Sequence, residues 1–420
     1  MRRALVIAAH GSQFNPNTAL PAWACVDAIR PLGLFDEVTA AFWKEQPAFG
    51  TVLETLSATD VLVVPLFSSD GYFTRRVLPA ELNPRWEQVV QITAAVGQNK
   101  FVEPLIDKRV NEALLLNGWA AEQTAVVIVG HGTERSQTSS TTTEYQAQRL
   151  RDGGRFGAGL TGYLDQEPLI GDVYQQTEFP QLLVVPNFIA AGLHTQEDIP
   201  AELGIEPLTD VIQQVHGRDL FYTKPLGTTG ELVDIVLQLA DVVRSGSATG
   251  SPWQAFPPLC GKLLERPQVG EVWLQHEGYL CHVADREKPV TSLQWLETPA
   301  EIRAAVRFDA NGQYRPWATT RDLPRGWAIP AASSRIRAAV LQTIYPRLAV
   351  HGQPRSLDLV GGRQQGKYRP VVDLTAVQID QLTDTVCKNC ILNPSWQTNR
   401  DADLACIEPC MAWLDAAVTM

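Results

Sequence analysis

VVIVGHGTERS, residues 126–136, sets four β-branched residues directly before Gly130-His131-Gly132. Such a run reads as a buried parallel strand that ends in a glycine turn. ALVIAAHGSQF, residues 4–14, repeats the arrangement, with His10 ahead of Gly11. Open α/β sheets bind their ligands beyond the C-terminal ends of their strands. Both histidines are expected at such an end.

The two stretches lie 121 residues apart, and the offset recurs elsewhere. Pro47 maps to Pro168, Pro65 to Pro186, Gly71 to Gly192, and Pro104-Leu105 to Pro225-Leu226. Between 62–82 and 183–203, 11 of 21 positions are identical without a gap. Ordinary composition allows about one or two by chance. The chain therefore carries a duplicated unit. Strands are expected near 4–9, 37–43, 60–66 and 98–103 in the first copy. In the second they are expected near 125–130, 158–164, 181–187 and 219–223, with helices such as 47–57 and 228–243 in the intervals. This alternation implies two tandem α/β domains, each a parallel sheet covered on both faces.

In the second copy LLVVPNFI runs into AAGLHTQEDIP, which puts His194 on the rim that carries His131. Two neutral imidazoles on one cleft suit a borderline transition metal. Glu167-Pro168 opens the next helical segment and adds a carboxylate to that rim. The first copy keeps His10 but has Phe73 for His194, Gln46 for Glu167 and Arg76-Val77 for Glu197-Asp198. A lone histidine here would read as a turn residue that hydrogen-bonds locally. The set His131, Glu167 and His194 reads as a metal site, with the two rings within about 10 Å of each other, since imidazole–metal bonds are about 2.0–2.1 Å.

The strand–HG[ST] turn, the EP helix start and the PxF–GxH–xxDIP segment together resemble the class II chelatases of tetrapyrrole biosynthesis. The resemblance is closest to the CbiX-type sirohydrochlorin cobaltochelatase family and its ferrochelatase relatives, and it spans residues 1–243 as two tandem copies. It implies that His131 and His194 bind an incoming divalent metal and that Glu167 assists. His10 is a further metal candidate that lacks partners. The implied activity is Co²⁺ insertion into sirohydrochlorin for cobalamin synthesis, with Fe²⁺ insertion for siroheme as the alternative. A reading from another class is an iron–sulfur redox or metal-handling protein whose halves only bind tetrapyrrole or metal. The complete set in the second copy favours the enzyme. GGRFGAGLTG at 153–162 imitates a phosphate loop but precedes a strand, so it reads as a connection.

The whole chain has 420 residues, 45% apolar and 19% charged, with a net charge of -11. Its length calls for several domains, and its charge argues against general nucleic-acid binding. No apolar run of about 18 residues predicts a membrane span. Domains are expected at 1–121 and 122–244, at 253–350 as an α+β module, and at 351–420 as a small cysteine-rich unit. SGSATGSP, 245–252, reads as the linker after the second copy. EVWLQHEGYLCHVADR reads as a hairpin turning at Glu277-Gly278, and SSRIRAAVLQTIY as a serine-capped helix. Residues 352–370 gather Arg355, Arg363, Lys367 and Arg369, either a solvated connector or a clamp for the carboxylates of the substrate. Four of the seven cysteines fall in the last 34 residues, as Cys387-x2-Cys390-x15-Cys406-x3-Cys410. That spacing suits four thiolates on one site and a cytoplasmic protein rather than disulfides. A [4Fe–4S] cluster is favoured, with [2Fe–2S] or zinc as alternatives. Such a cluster would serve electron transfer, sensing or structure, and a redox or metal-delivery partner is conceivable.

Overall fold

The computed structural model describes residues 2–98, 100, 102–132, 138–207, 210–228, 230–244, 248–259, 261–317, 322–349, 366–388 and 411–420. In the first half, β1 (Arg3–Ala9), β2 (Glu37–Phe42), β3 (Asp60–Pro65) and β4 (Val89–Ile92) form a sheet in the order β2-β1-β3-β4, parallel throughout. In the second half, β5 (Thr124–Gly130), β6 (Ala158–Tyr163), β7 (Gln181–Pro186), β8 (Gln213–Val215) and β9 (Arg218–Tyr222) take the order β6-β5-β7-β9-β8. The edge strand β8 runs antiparallel to β9.

Two expectations change. The fourth strand of the first half is not at 98–103: that region is a short 3₁₀ turn, Val96–Gln98, followed by a helix from Val102. The strand lies earlier, at VVQI, where a mostly exposed edge leaves a weak apolar signal. The repeat also carries a gap after all. β4 pairs Val89 with Asp60, whereas β9 pairs Asp219 with Gln181, so the offset of 121 at β3 and β7 becomes 130 at the fourth strand. The extra residues of the second half build the β8–β9 hairpin. Its two-residue turn, His216-Gly217, has positive φ at both positions (51° and 74°), as a type I′ turn requires.

Alternation along the central strands assigns their two faces. Ala4, Val6 and Ala8 pack outward in one cluster, while Leu5 and Ile7 point into another. In β5 the outward residues are Ala125, Val127 and Val129, and the inward ones Val126 and Ile128. The inward residues of both sheets belong to a single core. Between the sheets lie α1 (Leu20–Ile29) and α2 (Val102–Asn117) of the first half, with α3 (Thr138–Asp152) and α4 (Leu232–Leu239) of the second. Burying one Leu, Ile or Val side chain contributes about 1.5–3 kcal/mol. Half-exposed pairs such as Lys108–Glu231 and Arg149–Asp107 contribute about 0.2–1 kcal/mol each. The apolar layer therefore holds the two halves together.

The third domain is a mixed five-stranded sheet, β10 (Gln268–Val269), β11 (Val272–Leu274), β12 (Tyr279–His282), β13 (Gln294–Trp295) and β14 (Trp327–Pro330), in the order β10-β11-β12-β14-β13. β11 and β12 form the hairpin expected around Glu277-Gly278. His282 and Cys281 are buried in it, and His282 Nδ1 accepts from the Ala284 amide. Helix α5 (Pro299–Val306) starts with a Thr298/Glu301 capping box, and α6 (Ser334–Ile344) with a Ser333 cap. This domain packs on the first half. The Val38 amide donates to Ala255 O at 2.8 Å, which occupies the free edge of β2. Arg303 pairs with Asp27 and stacks over Trp23, and Arg30 stacks over Phe256. The Gln46 amide donates to Pro316 O at 2.9 Å, and Tyr314 donates to Glu45 Oε2 at 2.6 Å. Further on, residues of 366–388 and 411–420 share a small core around Val371, Ile379, Leu382, Trp413 and Leu414. Among the described residues no helix is long and apolar enough to cross a membrane.

Glu45 yields a pH test of the contact with the third domain. Burial lifts its carboxyl from the ordinary 4.5 to about 7, although Tyr314, the Ser12 amide and Arg307 pull the other way. The folded chain thus keeps a proton that the unfolded chain releases near 4.5. The stability this group contributes is complete below about pH 4.5 and is lost as pH rises through about 7. Denaturation midpoints of the wild type should fall relative to those of Glu45→Gln between about pH 5 and 7.5. A constant difference across that range would refute the assignment.

Candidate metal centre

The glycines around His131 have separate causes. Gly132 sits at φ +70°, and a Cβ there would come within 2.5 Å of Gln166 Cγ. A Cβ on Gly130 would meet Thr143 Oγ1 of α3 at 2.4 Å. The turn is left-handed on one side and closely approached on the other, and glycine meets both conditions. The carbonyl of His131 accepts from the amides of Leu164 (3.0 Å) and Asp165 (3.1 Å), which pins the strand end to the loop after β6.

His194 reaches the same place from the loop after β7. It begins a wide π-type turn, His194–Asp198, which sets its side chain one turn from that of Asp198. The rings of His131 and His194 lie 4.8 Å apart, nearly perpendicular, at 86°. That is well inside the 10 Å expected of ligands to one ion. Both side chains are 45% exposed, so an ion can reach them from solvent.

Their hydrogen bonds decide which nitrogen is available. His131 Nδ1 is 2.8 Å from Gly132 O, and His194 Nδ1 is 2.6 Å from Asp198 Oδ2. A carbonyl and a carboxylate only accept, so each Nδ1 carries the proton and each Nε2 keeps its lone pair. Asp165 Oδ2 stands a further 3.4 Å from His131 Nδ1. An imidazole whose far nitrogen donates to a carboxylate is an oriented and more basic ligand. Among the described residues no group of three or more His, Cys, Asp or Glu side chains is arranged to hold a metal ion. The pair therefore offers two nitrogen ligands and leaves further coordination positions open.

Glu167 is exposed on the same loop, just after Asp165 and in cis linkage to Pro168. The carboxylates that meet the imidazoles are instead Asp165 and Asp198. Sequence reasoning named Asp198 only within the Glu197-Asp198 pair that the first copy lacks, and did not name Asp165. The signal for Asp198 was present in HTQED, as a carboxylate four residues after the histidine. Asp165 left no local signal, because its partner lies on another strand.

The first half repeats the backbone without the donors. His10 Nδ1 is 2.8 Å from Gly11 O, and the His10 carbonyl accepts from Lys44 at 2.9 Å. Lys44 and Val77 stand where the second half has Asp165 and Asp198. Phe73 meets His10 edge-on at 5.0 Å and stacks with Phe67. Burial holds His10 below the ordinary imidazole range, and Lys44 and His194 push it the same way. His10 thus lies within electrostatic range of His194. The rims also touch directly, since Asn15 Nδ2 donates to Gln196 Oε1 at 2.8 Å.

The other expected site residues lie elsewhere. Arg355, Arg363, Cys390, Cys406 and Cys410 fall outside the described residues. Lys367 and Arg369 lie on the 3₁₀ segment Gly366–Asp373, with Arg369 exposed. Cys387 is buried in the apolar cluster with Val371, Ile379 and Leu382.

The CbiX family matches residues 4–113 and 125–242, and the DR2241 stabilising domain matches residues 256–356. A probable sirohydrochlorin cobaltochelatase of Halobacterium salinarum is 35% identical over 265 residues, 57% of this chain and 90% of its own length. A sirohydrochlorin cobaltochelatase of Methanopyrus kandleri is 30% identical over 132 residues, 27% of this chain and 92% of its own length. The crystal structure of DR2241 from Deinococcus radiodurans is described as a multi-domain protein with structural similarity to chelatases and two additional novel domains. It shares this fold over 100% of this chain and 98% of that one, with a TM-score of 0.75 and 24% identity.

Replacing Asp198 by Ala should weaken Co²⁺ binding by about 10–100-fold, because the orienting bond to His194 is lost. Asp165→Ala should cost less, since its contact is longer. Titration of the purified protein with Co²⁺, followed by visible absorbance, reads both. Unchanged affinity in Asp198→Ala would show that the carboxylate does not orient the ligand.

Proposed function

We propose, from the premise that this chain belongs to the CbiX family, that it is a chelatase inserting Co²⁺ into sirohydrochlorin through His131 and His194. Metal insertion into sirohydrochlorin is the reaction for which its relatives are named. The observation that supports the site best is the pair of free Nε2 lone pairs on rings 4.8 Å apart. The choice of Co²⁺ rests on the relatives' names, since a histidine site also suits Fe²⁺.

The residues account for both halves of the exchange. Insertion of M²⁺ into the free macrocycle releases two pyrrole protons. The ion arrives held by two imidazoles and leaves them as pyrrole nitrogens replace them. Each vacated Nε2 can then take one proton, so two histidines match two protons. Asp198, and Asp165 at longer range, stabilise the imidazolium that forms, because their carboxylates face the Nδ1–H. Glu167, exposed on the same loop, is a further group for the incoming ion or for proton release. The first half, without Asp165, Asp198 and His194 equivalents, is assigned a supporting role. The reading includes a cytoplasmic location.

The four cysteines are assigned to a [4Fe–4S] cluster on the strength of their spacing. [2Fe–2S] and zinc remain the alternatives. The basic stretch with Arg355, Arg363, Lys367 and Arg369 is assigned to the substrate's carboxylates on composition alone.

His131→Ala and His194→Ala should each reduce insertion below about one per cent of the wild-type rate while the protein stays folded. His10→Ala should cost less than about tenfold. Anaerobic incubation with sirohydrochlorin and either Co²⁺ or Fe²⁺, followed by absorbance, measures this and ranks the metals. Equal losses at His10 and His131 would show that the working half is misassigned.

Protein purified without oxygen should be brown, with about four irons per chain, and Cys387→Ser with Cys390→Ser should remove the colour. A colourless protein with one zinc, expressed with ample iron and sulfide, would overturn the cluster.

A further inference from the structure

A pocket of about 260 Å³ lies between the first half and the third domain. Its walls are apolar: Leu20 and Trp23 of α1 face Ala300 and Val306 of α5, with Pro316 and Ile344 behind. Into this space the third domain brings Arg303, Arg307 and Arg315, and the first half brings Asp27, Glu45 and Gln46.

The charges in the pocket are not balanced. Arg303 has Asp27 as its partner. Arg307 makes no ion pair with any described residue, and its hydrogen bond goes to the carbonyl of Pro16. A guanidinium has five donors, so most of those on Arg307 lack an acceptor among the described residues. Glu45 faces Tyr314 and Arg307, but burial raises its carboxyl to about 7, so near neutral pH it compensates Arg307 only in part. The Arg307 guanidinium is partly desolvated, which lowers its own basicity. A partly desolvated cation that is only partly compensated gains from an added anion. An arginine fork fits a carboxylate with two parallel hydrogen bonds. Gln46 also lines the pocket, and its Oε1 is buried without a hydrogen-bond partner among the described residues.

We infer that this pocket binds a carboxylate, seated on Arg307, with its body against the apolar walls and a hydroxyl or amino donor on Gln46 Oε1. The carboxylate can come from two sources. One is a free small hydroxy acid. The other is an acidic arm of the tetrapyrrole, a source that rests on the chelatase reading. The pocket adjoins the first rim, because Glu45 accepts from the Ser12 amide at 3.1 Å, two residues from His10.

Two variants of the full chain test the pocket. Arg307→Gln removes the cation. Ala304→Leu fills the mouth from an exposed position of α5 without changing any charge, so it guards against a folding defect in the first. In one arm, glycolate and acetate are titrated by calorimetry. Saturable binding, tighter for glycolate, that weakens at least tenfold in both variants supports a free-acid site. In the other arm, quenching of metal-free sirohydrochlorin fluorescence is measured without metal. A tenfold weaker macrocycle affinity in both variants, with glycolate competing in the wild type, supports the tetrapyrrole arm. Carboxylate binding that is absent or unchanged by the variants, together with unchanged macrocycle affinity, overturns the proposal. Wild-type protein that binds glycolate here but inserts no metal would refute the chelatase reading and leave the pocket standing.

Discussion

A single layer of helices buried between two sheets is the constraint on which the rest depends. β1 and β5 are covered on both faces, so each must be flanked by helices, and one of those layers is shared between the halves. Sharing it fixes how the two rims meet. Asn15 can then reach Gln196, and His10 comes within electrostatic range of His194. The cleft is a consequence of core packing before it is a matter of chemistry.

Within that frame the halves differ by a few side chains. The second half holds each imidazole by its Nδ1 and leaves Nε2 open. In the first half, aromatic packing has replaced the polar set: Phe73 lies against His10, Phe67, Trp43 and Tyr72. A cluster of this kind needs no orienting carboxylates, and the first rim has none at the positions of Asp165 and Asp198. The same turn geometry thus serves ligand presentation on one side and packing on the other.

The third domain bears on the rim that lost its donors. Its contacts include stacked arginines, a backbone bond to the edge of β2, and the Tyr314–Glu45 hydrogen bond. Covering β2 removes a free sheet edge, which is otherwise a site for unwanted strand pairing. Placing three arginines against the first half brings positive charge into an acidic protein. The attachment therefore does more than bury apolar surface.

The duplication, the strand ends and the histidines at them were legible in the chain, because strands of β-branched residues, glycine turns and repeated segments are local patterns. The replacement of His194 by Phe73 was legible for the same reason. The fourth strand of the first half was not, since an exposed edge strand has little apolar signal, and the match of Pro104-Leu105 with Pro225-Leu226 suggested a constant offset although the 3₁₀ turns Val96–Gln98 and Leu226–Thr228 show those positions are not equivalent. Only the tertiary structure brought Asp165 to His131, whose loop and strand are joined by backbone hydrogen bonds rather than by sequence spacing. Only it set Tyr314 against Glu45, 269 residues away, and left Arg307 without a close ion pair among the described residues. Contacts of that kind depend on how buried faces dock, and no period or motif along the chain encodes which charged groups end up facing each other.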